Sequence, residues 1–327
     1  MAPPPAREIF DGKYVLVEGR GKIGGGAYGE VFLYRDAATG ELVAVKRCRI
    51  APSDDPGELW GERMATCAIR EASVLEELKQ AGGHENIIGF KGVNMIEDRS
   101  YMLLAFEYME TSLCDFMMEF HARDVYDGRV PKVLLLQMLK AVSYLHSRRI
   151  MHRDLKPANV MVDREKLRPC LLDFGLARGF NLPAQRYSPE VVTSYYRAPE
   201  LLLGAKQYDA AVDMWSIGCI FAEMVNGEVL FLPRDEEPQE WAIFRIMGVP
   251  DNLPQVLNLE GTPRPNFDTR PPIPLQEVVP RLMAEPHGID LLSRMLTYPP
   301  GERISADDAL EHLYFQDLPA DMRLGIS

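Results

Sequence analysis

Cysteine is scarce in this chain of 327 residues. The five thiols, Cys48, Cys67, Cys114, Cys170 and Cys219, are widely spaced and form no C-x-x-C. An odd count at such spacings argues against a disulfide framework or a zinc site and reads as buried thiols in a reducing compartment. Long apolar runs are missing as well. The longest, 133–145 and 214–225, are too short or too interrupted to span a bilayer. The first ten residues hold three prolines and no apolar h-region, so no signal peptide is expected there. Basic charge is in deficit: 36 Lys+Arg stand against 48 Asp+Glu, a formal net charge of −12. A broad grip on nucleic acid or an anionic membrane is therefore not expected. No repeats occur, and the 25 Gly and 25 Pro follow no period, which excludes a collagen-like chain. What is present is a globular composition, 46% apolar and 26% charged, expected in the cytoplasm, the nucleus or both. At about 150 residues per domain there is length for two.

Short apolar or alternating runs predict strands over 14–17, 30–34, 42–47 and 101–106. One helix is predicted over 62–80. Its Ala68, Glu71, Leu75 and Leu78 fall on a single face, and Gly82-Gly83 stops it. Beyond Tyr108 the pattern becomes helical. A long helix runs from Pro131 to about Arg149, another covers 213–226 and closes at Gly227, and a short one covers 305–314 with Ser305 as N-cap. The Pro-rich stretch 233–280 reads as loops and short helices. Strands followed by helices predict an α+β fold in two lobes, with domains 1–107 and 108–327.

Between two strands stands Ile23-Gly24-Gly25-Gly26-Ala27-Tyr28-Gly29-Glu30-Val31, a G-x-G-x-x-G-x-V run. Glycines let backbone amides approach phosphate oxygens closely. A dinucleotide loop needs a helix next, and here Val31 opens a strand. In Val43-Ala44-Val45-Lys46, Ala44 and Lys46 share one strand face, a small side chain beside an ammonium. Glu71 on an apolar helix face is costly alone, and pairing with Lys46 resolves that cost. After the long helix comes His152-Arg153-Asp154-Leu155-Lys156-Pro157-Ala158-Asn159, and nineteen residues beyond Asp154 comes Asp173-Phe174-Gly175. Two carboxylates and an amide oxygen suit a hard divalent cation and leave one carboxylate to orient a hydroxyl. Ala198-Pro199-Glu200 and Asp213-Met214-Trp215-Ser216-Ile217-Gly218 follow.

This ordered set resembles the eukaryotic protein kinase signature over almost the whole chain. The resemblance implies a two-lobed kinase fold, with a small strand-rich N-lobe holding one key helix and a larger helical C-lobe, and it implies ATP and Mg²⁺. The implied nucleotide residues are the glycine run from Ile23 to Val31, Ala44, Lys46, Glu71, Glu107 and Met109. Asp154, Lys156, Asn159 and Thr193 are the implied catalytic group, with Asn159 and Asp173 on the metal. Glu200 would pair with Arg303, Asp213 would brace the catalytic loop, and Leu75, Phe90, His152 and Phe174 resemble the apolar column of active kinases.

Within the kinases, Ala65-Thr66-Cys67-Ala68-Ile69-Arg70-Glu71 is similar to the PSTAIRE helix of cyclin-dependent kinases, with A-I-R-E kept. Phe174-Gly175-Leu176-Ala177-Arg178, Glu190-Val191-Val192-Thr193 and Tyr196-Arg197-Ala198-Pro199-Glu200 also match that family. The likeness implies Ser/Thr-Pro substrates, a cyclin-like subunit near Ile69 and an upstream activating kinase. It also implies phosphosites at Tyr28 and Ser188, the latter met by Arg70, Arg153 and Arg178. Three features depart from the family. The stretch 51–60 is long, 231–241 lacks the usual acidic pattern, and Tyr195 replaces Trp. The stretch Arg186-Tyr187-Ser188-Pro189 lacks the T-x-Y of mitogen-activated kinases. The alternatives are a cyclin-independent proline-directed kinase, of mitogen-activated or glycogen-synthase type, and a kinase-like binding module without catalysis.

Overall fold

The computed structural model describes residues 9–26, 29–50, 60–96, 100–122, 126–179, 194–205, 208–257 and 271–324. The chain divides into two compact units. The first is Met1–Glu110 with Cys170–Ala177, and the second is Thr111–Pro169 with Arg178–Ser327.

The first unit is built on six strands: β1 (Tyr14–Leu16), β2 (Lys22–Gly26), β3 (Gly29–Asp36), β4 (Leu42–Arg49), β5 (Phe90–Ile96) and β6 (Tyr101–Glu107). They pair antiparallel in the order β1-β3-β4-β6-β5, and β2 adds to β3. On one face, Tyr14, Phe32, Tyr34, Val43, Val45 and Leu103 form a buried core capped by Ile9. Helix α1 (Trp60–Gln80) connects β4 to β5. Its predicted face is buried at Ala68, Glu71, Leu75 and Leu78, whereas Ile69 is 54% exposed. The helix ends where predicted. Gly82 and Gly83 take φ of +97° and +70°, and the Gly83 N–H donates to the Leu78 carbonyl at 2.9 Å, a left-handed closure that glycine adopts without strain.

Sequence reading missed β2 and β5. β2 is mostly glycine and has little intrinsic strand preference. β5 carries Gly92 at φ +148° and a register shift between Phe90 and Gly92, which breaks the alternation that marks a strand.

The second unit is mainly helical, with α2 (Leu113–His121), α3 (Arg129–Ser147), α4 (Pro199–Leu202), α5 (Ala211–Asn226), α6 (Gln239–Met247), α7 (Leu253–Val256), α8 (Leu275–Val278), α9 (Pro286–Met295), α10 (Ala306–Leu310) and α11 (Ala320–Leu324). Short strands β7 (Thr111–Ser112) and β9 (Val160–Asp163) pair with each other, as do β8 (Ile150–Met151) and β11 (Arg178–Gly179). Strand β10 (Arg168–Leu171) leads into the first unit. Helix α3 stops at Ser147 rather than Arg149, because Arg149 turns left-handed at φ +59°. Helix α5 is apolar almost all round and buried along its length, as a central helix must be. Gly227 closes it at φ +85°. The helix expected over 305–314 is shorter. Ser305 does cap α10 by accepting the Asp308 N–H at 3.1 Å. The chain then leaves the helix and restarts as a 3-10 turn, Leu313–Phe315, capped by His312. Among the described residues no helix is long and apolar enough to cross a membrane.

Candidate active site

The site residues fall into two groups, one in each unit. In the first unit, β4 sends Val43 and Val45 into the core and Ala44 and Lys46 to the other face. Lys46 Nζ donates to Glu71 Oε2 at 2.7 Å and stands 3.6 Å from Asp173 Oδ1. Burial works against the Lys46 charge, but the Glu71 and Asp173 carboxylates outweigh it and hold the ammonium above the ordinary lysine range. Burial pushes the Glu71 carboxyl up, to about 7, while Lys46 pulls it down. Without Lys46, the Glu71 carboxylate would be a buried charge that has lost its salt-bridge partner. Asp173 sits at φ +61°, in the left-handed region, and its Oδ1 accepts the Gly175 N–H at 3.4 Å. Leu75, Phe90 and Phe174 are all buried in this unit.

At the end of β6, the Glu107 N–H donates to the Gly89 carbonyl at 2.8 Å, and Glu107 Oε1 accepts the Gly89 N–H at 3.1 Å. Met109 lies two residues further on, after Tyr108. Of the glycine run, Ile23 to Gly26 lie on β2 and Gly29 to Val31 on β3. Gly29 is glycine for a packing reason: at φ +145° an added Cβ would meet the Arg47 carbonyl oxygen at 2.4 Å. Glu30 accepts from Lys22 at 2.8 Å and from Arg47 at 2.9 Å, and these bonds hold its carboxyl below the usual range. No motif marked Lys22 or Arg47, since neither belongs to a fixed pattern.

In the second unit, Asp154 Oδ2 accepts from Lys156 Nζ and from Asn159 Nδ2, both at 2.8 Å. Asn159 Nδ2 also donates to the Asp154 carbonyl at 2.8 Å. This loop hangs on Asp213. Its Oδ1 accepts the Arg153 N–H at 2.8 Å, and its Oδ2 accepts the His152 N–H at 2.9 Å. His146 Nε2 lies 2.9 Å from the same Oδ2. Burial would raise the Asp213 carboxyl, but these bonds and the neighbouring histidines keep it below its ordinary value. Sequence reading missed His146, which on α3 looks like any polar residue near a helix end. The fully buried His152 belongs to this unit. The Arg153 guanidinium stacks on Tyr208 at 5.1 Å, and Arg178 lies opposite Met151 in the β8–β11 pair. Arg303 grips Glu200 bidentately, at 2.8 and 3.2 Å, with both side chains buried. Arg70 belongs to the first unit, where its Nη1 donates to the Gly175 carbonyl at 2.8 Å. Ala27, Tyr28, Ser188 and Thr193 lie outside the described residues.

A family model, protein kinase domain, matches residues 17–315. The chain belongs to the protein kinase family. The kinase has that family's α+β fold, a small antiparallel sheet with one helix and a larger helical part. Membership implies ATP use, typically with Mg²⁺, and protein substrates. Among the described residues of the kinase, no cluster of three His, Cys, Asp or Glu could hold a metal ion. Mg²⁺ carried with a nucleotide needs only one or two protein oxygens beside phosphates and water. Asp173 keeps a partly exposed carboxylate. Asn159 commits its NH₂ to Asp154 and so presents its amide oxygen.

Proposed function

We propose that this kinase phosphorylates serine or threonine followed by proline, under control of a cyclin-like subunit that engages α1. The observation that carries the reading is the Lys46–Glu71 pair, closed at 2.7 Å on a helix whose sequence keeps A-I-R-E. That pair is the element a partner on the helix would control. Ile69 supports the partner, because it is an aliphatic side chain left 54% exposed on the outer face of the same helix. MgATP supplies the phosphoryl group and divalent charge when bound. Lys46, held by Glu71, neutralises α- and β-phosphate charge. Asp173 and Asn159 offer oxygens to the cation. Asp154 spends Oδ2 on Lys156 and Asn159, so Oδ1 orients the substrate hydroxyl and takes its proton. Lys156 balances charge on the transferring group.

The proline preference rests on Glu190-Val191-Val192-Thr193. In the resembling family a strained valine there leaves a carbonyl that cannot accept the amide of an ordinary following residue, and proline has no such amide. A peptide array scanned at the position after the acceptor tests it. Proline is expected to dominate with Ser or Thr as acceptor, and no preference at that position refutes the reading.

A further inference from the structure

Arg70 and Glu71 are neighbours on α1, and both reach the D-F-G turn. Arg70 Nη1 donates to the Gly175 carbonyl at 2.8 Å. Glu71 Oε2 accepts from Lys46 at 2.7 Å, Lys46 lies 3.6 Å from Asp173 Oδ1, and that same oxygen accepts the Gly175 N–H at 3.4 Å. The contacts close a ring from Arg70 through Gly175, Asp173 and Lys46 to Glu71, with one peptide bond completing it. Every member lies in the first unit. The ring is tight at Gly175, where an added Cβ would stand 3.2 Å from Asp173 Oδ1 and 3.4 Å from Cys67 Cβ. Nothing in the ring requires a phosphate.

We propose that Arg70 is a positioning residue that clamps α1 to the D-F-G turn and so holds Glu71, Lys46 and Asp173 in register independently of phosphorylation at Ser188. The inference rests on the site roles proposed above for Lys46 and Asp173. A guanidinium carries five N–H donors, so one spent on Gly175 leaves others for an anion. The side chain can therefore serve both tasks, and a donor that carries full charge makes the stronger kind of bond to a carbonyl.

The test uses the full chain, with its activating partner, in a Ser188→Ala background where a phosphate role is removed. Adding Arg70→Ala there is expected to lower kcat/KM for ATP about tenfold, equivalent to about 1.4 kcal/mol in the barrier. Adding Arg70→Lys, which keeps a donor of similar reach, recovers most of the loss. A second readout does not depend on turnover: iodoacetamide modification of each thiol, followed by mass spectrometry. Cys67 on α1 is expected to react severalfold faster in Arg70→Ala, while Cys114 in the second unit keeps its rate. Unchanged kcat/KM and an unchanged Cys67 rate overturn the proposal. Faster modification of the buried Cys48 and Cys170 as well would mean general loss of structure and also overturns it. Near-normal activity of Lys46→Met would remove the site reading, and the positioning role with it.

Discussion

Lys46 and Asp173 contribute charge rather than bulk to the first unit, so their removal separates chemistry from folding. Catalysis by a kinase is mostly positioning and charge neutralisation. Loss of a main electrostatic element costs roughly 10²–10³-fold or more in rate. Lys46→Met and Asp173→Asn are each expected to abolish phosphotransfer while circular dichroism stays that of the parent; near-normal turnover in either folded variant would sink the assignment. Lys46→Met also removes the partner of a buried carboxylate, but Glu71 already sits at about 7 and can take a proton. That escape is why the fold is expected to survive.

At the scale of elements, Asp213 fastens the loop at His152 and Arg153 to α5. Asp213 accepts two backbone N–H groups and a histidine. In Asp213→Ala both amides lose their acceptor inside the protein, at about 1–3 kcal/mol each. Denaturant unfolding should show a loss within that sum, and a change below 1 kcal/mol would mean that the loop is held by other contacts. The activation segment is the second element at issue. Arg178 lies opposite Met151 in the β8–β11 pair, two residues before Arg153, and a phosphoserine at Ser188, with about −1.5 to −2 charge, would suit two such arginines. Ser188→Ala is expected to cut activity at least about tenfold, or 1.4 kcal/mol in barrier. Full activity with the regulatory partner present would show the activation scheme to be wrong.

For the whole molecule the question is whether the chain works alone. The exposed Ile69 sits one residue from Arg70 and two from Glu71, so a partner that packs on it bears directly on the Lys46 pair. The purified chain is expected to turn over slowly, and a cyclin-like subunit captured from the native cell should raise its rate. Ile69→Asp should abolish that stimulation, because a carboxylate in an apolar interface is left without a partner. A single chain that is fully active without any partner would favour a cyclin-independent branch.

The family was legible in the sequence because kinase chemistry demands particular side chains at short, fixed spacings. Asp173-Phe174-Gly175 alone carries little meaning, but following His152 to Asn159 at nineteen residues beyond Asp154 it is specific. Helix α1 was legible for a related reason: Ala68, Glu71, Leu75 and Leu78 must share a buried face, and a glutamate on that face must find a cation. Helix periodicity marked Glu71, the strand run Val43-Ala44-Val45-Lys46 offered the cation, and the cost of a lone buried carboxylate joined the two. Other facts belong to the tertiary structure. β5 escaped notice because Gly92 interrupts its alternation. Gly29 looked like one more phosphate-loop glycine until the Arg47 carbonyl was seen at its back. His146 and Asp213 are 67 residues apart, and no local pattern links them. Arg70 looked like a phosphate ligand, and only the folded chain, by bringing α1 against the D-F-G turn, gives it the Gly175 carbonyl. Spacing along the chain determines which groups are available, whereas hydrogen bonds between distant segments exist only once packing has brought those segments together.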